Sequence, residues 1–199
     1  MANPGAAIAH LVKLCITLIC MTEFQNPYGL CSAGERCWAI RGFQLMLLHS
    51  VFGLVRFCIS GNSKHIRNLY EWFSATASLL SFVFFVNEIL YDSHVDERIR
   101  LSLLTLGFLP VIYELLALAR LYEKTRLESF VVCLQLAAVI VACLRVGNYV
   151  AFSLAASYIF DHFFVEEVCE WYDVPNVDLA QYSSCFVGVF ATLALRTSH

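Results

Sequence analysis

Long apolar runs, separated by short polar stretches, account for most of the chain. Six can be marked, at residues 6–21, 38–59, 69–91, 99–122, 130–160 and 179–195. Each is near the ~20 residues that carry an α-helix across a bilayer core ~30 Å thick. Transmembrane β-strands would instead alternate apolar and polar residues over about ten positions, and the sequence has no such segments. The pattern predicts an all-α fold, a polytopic transmembrane helical bundle of about six spans, forming one integral membrane domain over residues 1–199.

Two runs depart from the simple reading. The first is short and carries His10 and Lys13. It also fits a signal peptide with "LCITLICM" as its apolar centre, which would leave five spans after cleavage. No cleavage site is evident, so an uncleaved first helix is expected. The fifth run is too long for one crossing, since about 31 residues at ~1.5 Å each reach ~46 Å against a core of ~30 Å. Gly147 and Asn148 stand just after its only arginine, Arg145, so the helix either tilts as one piece or breaks there. Beyond it, "FDHFFVEEVCEWYDV" at helical spacing puts Phe160, Phe163, Phe164, Val168, Trp171 and Tyr172 on one face and His162, Glu166 and Glu170 on another. That predicts a short amphipathic helix near 160–172, lying in the membrane interface.

Composition agrees with a membrane fold: the chain is 59% hydrophobic and 15% charged, where soluble domains have roughly 45–50% and 25%. The net charge of −3, without any basic block, excludes nucleic acid as a partner. Lysine and arginine gather at Arg56, Lys64 and Arg67, at Arg120, Lys124 and Arg126, and at Arg196. Because basic residues favour the cytoplasmic side, these regions and both termini are expected to be cytoplasmic. The opposite side then holds residues 161–178, with six acids and no Lys or Arg, and also Arg36, Arg41, Arg98 and Arg100, which run against the trend.

Ionisable groups deep in an apolar run cost at least ~2.5 kcal/mol each, so they need a partner or a purpose. Lys13, His49, Glu114 and Arg145 are such groups, while Asn87 and Glu88 lie nearer the end of their run. Glu114 and Arg145, in consecutive runs, suggest a buried charge pair. Its roles are a structural lock or, with His49 titrating near neutral pH, part of an ion or proton path. His162, Glu166 and Glu170, with Asp92, His94 and Asp96 in the other outer stretch, are candidate ligands for a divalent cation. Of nine cysteines only Cys31, Cys37 and Cys169 fall between apolar runs, where a disulfide between Cys31 and Cys37, or from one of them to Cys169, is conceivable on an oxidising face. Pro110 should kink the fourth helix and free a carbonyl one turn upstream.

Ser74, Ala77, Ser78 and Ser81, like Ala138/Ala142 and Ala151/Ala155, form small-residue faces that let helices pack closely, within the chain or against another copy. No phosphate loop, nucleophile elbow, H-E-x-x-H or C-x-x-C motif occurs, and no cofactor is expected. The expected partners are the lipid bilayer and other membrane proteins, or self-association through those faces. The leading expectation is a non-catalytic multi-pass protein that organises a membrane or serves a larger complex. A small ion- or proton-coupled channel or transporter using Glu114, His49 and Arg145 is the alternative, and a membrane enzyme with an outer-face metal site is a third reading.

Overall fold

The apolar runs fold as helices. The computed structural model describes residues 3–24, 36–58, 64–115 and 124–196, with side chains except at 114, 115 and 124–126. Among these residues the helices are α1 (Pro4–Thr22), α2 (Cys37–Cys58), α3 (Lys64–Asp92), α4 (Glu97–Leu115), α5 (Lys124–Val146), α6 (Val150–Ile159), α7 (Val165–Tyr172) and α8 (Asn176–Arg196). A π-helical turn, Phe160–Phe164, joins α6 to α7 without a break. Helices α1, α2, α3, α5 and α8 are each long and apolar enough to cross a membrane.

Burial follows the logic of lipid rather than water. Helix α1 buries His10, Lys13 and Thr17 and exposes Ile8, Leu11 and Ile19. The same inversion recurs on α8, where Gln181, Ser183 and Thr192 are buried and Phe186 and Leu193 are exposed. A water-soluble chain would pay for such exposed apolar patches by aggregating, whereas in hydrocarbon they are the solvated face.

Pairwise contacts set the direction of each helix. Phe24 packs on Phe43 and His10 on Phe57, so α2 returns antiparallel along α1. Tyr70 meets His10 at one end of α3, and Glu88 meets Trp38 at the other. Arg100 over Tyr91 and Phe108 beside Phe84 turn α4 back along α3. Asn148 donates to the Ala194 carbonyl, and Glu128 shares a cavity with Ser74 and Asp161, so α5 runs the opposite way to α4. Helices α6 and α7 descend as one column beside α8. The result is seven columns alternating in direction, with a proximal end where α1 begins and a distal end where it finishes.

Local chemistry explains the boundaries. Asn3 caps α1 through its side-chain oxygen, which accepts from the Ala6 N–H at 3.3 Å, and Pro4 occupies the first turn, where its missing N–H costs nothing. The start of α2 is capped from another helix: the Glu88 carboxylate, 3% exposed, accepts from the backbone N–H of Trp38 at 2.9 Å and of Ala39 at 3.1 Å. Arg36–Asp92 at 3.1 Å and Arg196–Glu23 at 3.0 Å close the distal end. Gln135, fully buried, donates to the Leu103 carbonyl at 2.7 Å and ties α5 to α4. Pro110 lies inside α4, which continues to Leu115.

Of the two forms expected for the fifth run, tilted or broken, the structure has the broken one, and the acidic stretch after it changes place. The 130–160 run is two helices: Gly147 at φ +80° takes a backbone conformation that an L side chain resists, and the chain turns there. Among the described residues the helices thus form seven columns. Gly5 lies against Asp178 and Glu23 pairs with Arg196, so α1 and α8 are parallel. The acidic 161–178 stretch correspondingly sits at the proximal end, with Arg56 and Lys64, and not opposite them. The short amphipathic helix expected near 160–172 is α7, which the π turn makes continuous with α6 and which packs along α8.

Candidate functional site

Helix α1 carries His10, Lys13 and Thr17 at i, i+3 and i+7, a polar stripe in an otherwise apolar helix. Such a stripe has to face the bundle, and it does. Lys13, 3% exposed, donates from Nζ to His49 Nδ1 of α2 at 3.0 Å and to Gln181 Oε1 of α8 at 3.0 Å. An ammonium can only donate, so His49 Nδ1 is the acceptor and the ring hydrogen sits on Nε2. That Nε2 is buried without a hydrogen-bond partner. His10 Nε2 contacts the Tyr70 hydroxyl of α3 at 2.8 Å. Its ring stands edge-on to His49 at 5.3 Å, stacks on Phe57, and fits only because position 53 is a glycine: any Cβ there would overlap the imidazole. Arg56 lies 4.4 Å from the Tyr70 ring centre and reaches Glu71 at 3.5 Å, closing the cluster toward the proximal end.

Beside this cluster the bundle is hollow. A cavity of about 230 Å³ is lined by the buried Lys13, His49 and Gln181 at its floor, by the half-buried Ser74, Ser78, Ser184, Glu128, Asp161 and His162, and by the exposed Glu166 and Asn176. Asn176 and Glu166 are exposed, so the mouth opens at the proximal end. A second cavity of about 20 Å³, room for roughly one water, reaches inward to Met46, Ser81 and Tyr158 while sharing Lys13, His49 and Asp161 with the first. Ser78 lies beside the buried Tyr158 hydroxyl and Ser183 beside the Asp161 carboxylate, whose Oδ1 is buried outside any hydrogen bond. The π turn sets this geometry: an extra residue in the turn displaces Asp161 and His162 from the helical positions they would otherwise take.

Toward the distal end the hollow stops. Phe82 and Tyr158 stack face to face at 3.6 Å, and Phe43 and Phe85 pack at 4.7 Å, all fully or nearly fully buried. Among the described residues the site is therefore a vestibule that opens at the proximal end, with Lys13 at its floor and aromatic rings beyond.

Of the residues expected to carry chemistry, the site contains His49, His162 and Glu166. Arg145 does not face the interior: it is exposed in the last turn of α5, at the distal end. Glu114 is in the last turn of α4, at the proximal end, with a side chain outside the described residues. Antiparallel packing of α4 and α5 thus puts the supposed partners at opposite ends. Asp92, His94 and Asp96 lie at the distal end and His162, Glu166 and Glu170 at the proximal end, so the six do not converge. Among the described residues no group of three or more His, Cys, Asp or Glu side chains is arranged to hold a metal ion. Cys37 opens α2 at the distal end while Cys169 is buried in α7 at the proximal end, which rules out a bond between them; Cys31 lies outside the described residues. The small-residue face of α3 is turned inward, where Ser81 donates to the Gly42 carbonyl of α2 at 3.0 Å.

Sequence reading missed the convergence of Lys13 with Gln181 and Asp161. A polar stripe on α8, Gln181, Ser184, Cys185, Gly188 and Thr192, repeats at helical spacing as the one on α1 does, and two such stripes were the available signal. No protein-family model matches the chain, and neither a curated protein nor a solved structure matches it significantly.

Proposed function

We propose that this membrane protein binds a small polar solute in the proximal vestibule and carries it across the bilayer. The observation that supports the reading best is Lys13. A buried lysine in hydrocarbon costs at least ~2.5 kcal/mol, and a bundle needing only to pack would be served as well by a methionine. Here the ammonium is held by two fixed acceptors on two other helices and borders a cavity open to one side. An ionisable residue lining a water-accessible hollow near mid-depth is what a translocation path requires. The aromatic seal beyond it corresponds to a state closed toward the distal end. His49 keeps the role expected for it, while Lys13 and Asp161 take the places assigned to Arg145 and Glu114. An organising or accessory role gives Lys13 and the cavity nothing to do.

The test is reconstitution into liposomes, with gradients of protons, short amines, carboxylates and amino acids applied in turn. Movement of at least one class above protein-free liposomes is expected, and Lys13→Met should abolish it while folded protein still accumulates. His49→Gln serves as the second variant if Lys13→Met fails to fold. Wild-type protein that moves none of them, together with a Lys13→Met variant of higher thermal stability, would make the cluster a structural feature and overturn the proposal.

A further inference from the structure

The vestibule's two kinds of charge are arranged by depth, and they do not neutralise each other by direct contact. At the floor, Lys13 spends two of its three N–H donors on His49 and Gln181, and the third remains. At the wall, Asp161 Oδ1 is buried outside any hydrogen bond. Both groups line both cavities. Between the exposed Glu166 and the buried Lys13 a solute meets the half-buried Asp161.

That order discriminates among solutes. A simple anion would have to pass Glu166 and Asp161 to reach Lys13. A simple cation would be held at the mouth and repelled from the floor. A molecule carrying both charges on a short skeleton matches the whole path, with its carboxylate on the Lys13 ammonium and its ammonium on the Asp161 carboxylate. Ser74, Ser78, Ser184 and Asn176 supply neutral hydrogen-bonding walls between them. The volume suits a small molecule: about 230 Å³ falls below the ~300–1,000 Å³ of drug-sized sites.

From this geometry we infer that the vestibule is a site for a small zwitterion of the amino-carboxylate class, bound carboxylate-inward between Lys13 and Asp161. The inference rests on the solute-binding reading above and narrows it. Each end of the ligand gains a charge-assisted hydrogen bond in a low-dielectric setting, where such bonds are strongest. Uncharged side-chain substituents on the skeleton would point back toward the mouth.

Binding is measured directly, without transport, on purified protein in lipid nanodiscs by calorimetry. The probes are L-alanine, its amide, which lacks the carboxylate, and its N-acetyl derivative, which lacks the ammonium. L-Alanine should bind and the two derivatives should bind about tenfold more weakly or worse, the equivalent of one lost charge-assisted hydrogen bond. Asp161→Asn should weaken L-alanine by a similar factor while leaving the N-acetyl derivative unchanged, a split that a merely destabilised protein would not give. If the amide or the N-acetyl derivative binds as well as L-alanine, the zwitterion inference fails and the solute site stands. If nothing binds, and liposomes also pass no solute of any class, the vestibule holds water only and both readings fail.

Discussion

Glu88 offers the sharpest stability test because its role is local and countable. Its carboxylate accepts two backbone N–H groups at the start of α2, donors that no residue within that helix can satisfy. Hydrogen bonds to charged groups contribute about 1.5–3 kcal/mol each in soluble proteins, which sets an upper figure of about 3–6 kcal/mol for the pair. Within membrane bundles measured values run nearer about 0.6–1.7 kcal/mol per bond, giving a lower figure of about 1.2 kcal/mol. Glu88→Leu should therefore cost about 1–6 kcal/mol, and Glu88→Gln, whose amide oxygen can stand where Oε2 takes both bonds but without its charge, about half as much. Reversible unfolding in mixed lipid–detergent micelles, followed by helix content, measures both. A leucine variant within about 0.5 kcal/mol of the parent, the range of ordinary surface substitutions, would refute the cross-helix cap.

Two further predictions concern the bundle's geometry. Glu114→Arg, Arg145→Glu and the double exchange should show a coupling energy within about 0.5 kcal/mol of zero, as for distant sites; recovery in the double variant, read from thermal unfolding, would place the side chains together and contradict the antiparallel packing of α4 and α5. Gly53→Ala should cost about 1–3 kcal/mol by overpacking against the His10 ring, and an unchanged melting temperature would mean the imidazole is not held there.

How far the sequence could be read depends on the range of each interaction. Apolar runs and the hinge residues at Gly147 and Asn148 are local signals, and they announced a helical bundle and a breakable fifth segment. Dividing the fifth segment reverses the direction of every later helix, which is why the acidic 161–178 stretch lies at the end that holds Arg56 and Lys64. Arg145 looked buried because it is central in an apolar run, yet the same glycine that breaks the run places it at a helix terminus. Glu88 looked like an acid near a membrane surface, since nothing local says that the start of another helix lies beside it. Lys13, His49 and Asp161 were each visible, but their meeting depends on the rotation of three helices and on one π turn, which no periodicity in a single segment specifies.

The bond from Lys13 to Gln181 joins the first helix to the last, 168 residues apart. Synthesis proceeds from one to the other, so α1 enters the membrane long before its acceptor on α8 exists. His49 arrives early, with α2, and can shelter the ammonium in part. Full burial waits until the final helix has been made and inserted. A chain that ends before Gln181 leaves that charge half-satisfied in lipid, so incompleteness carries a chemical mark that the finished protein conceals.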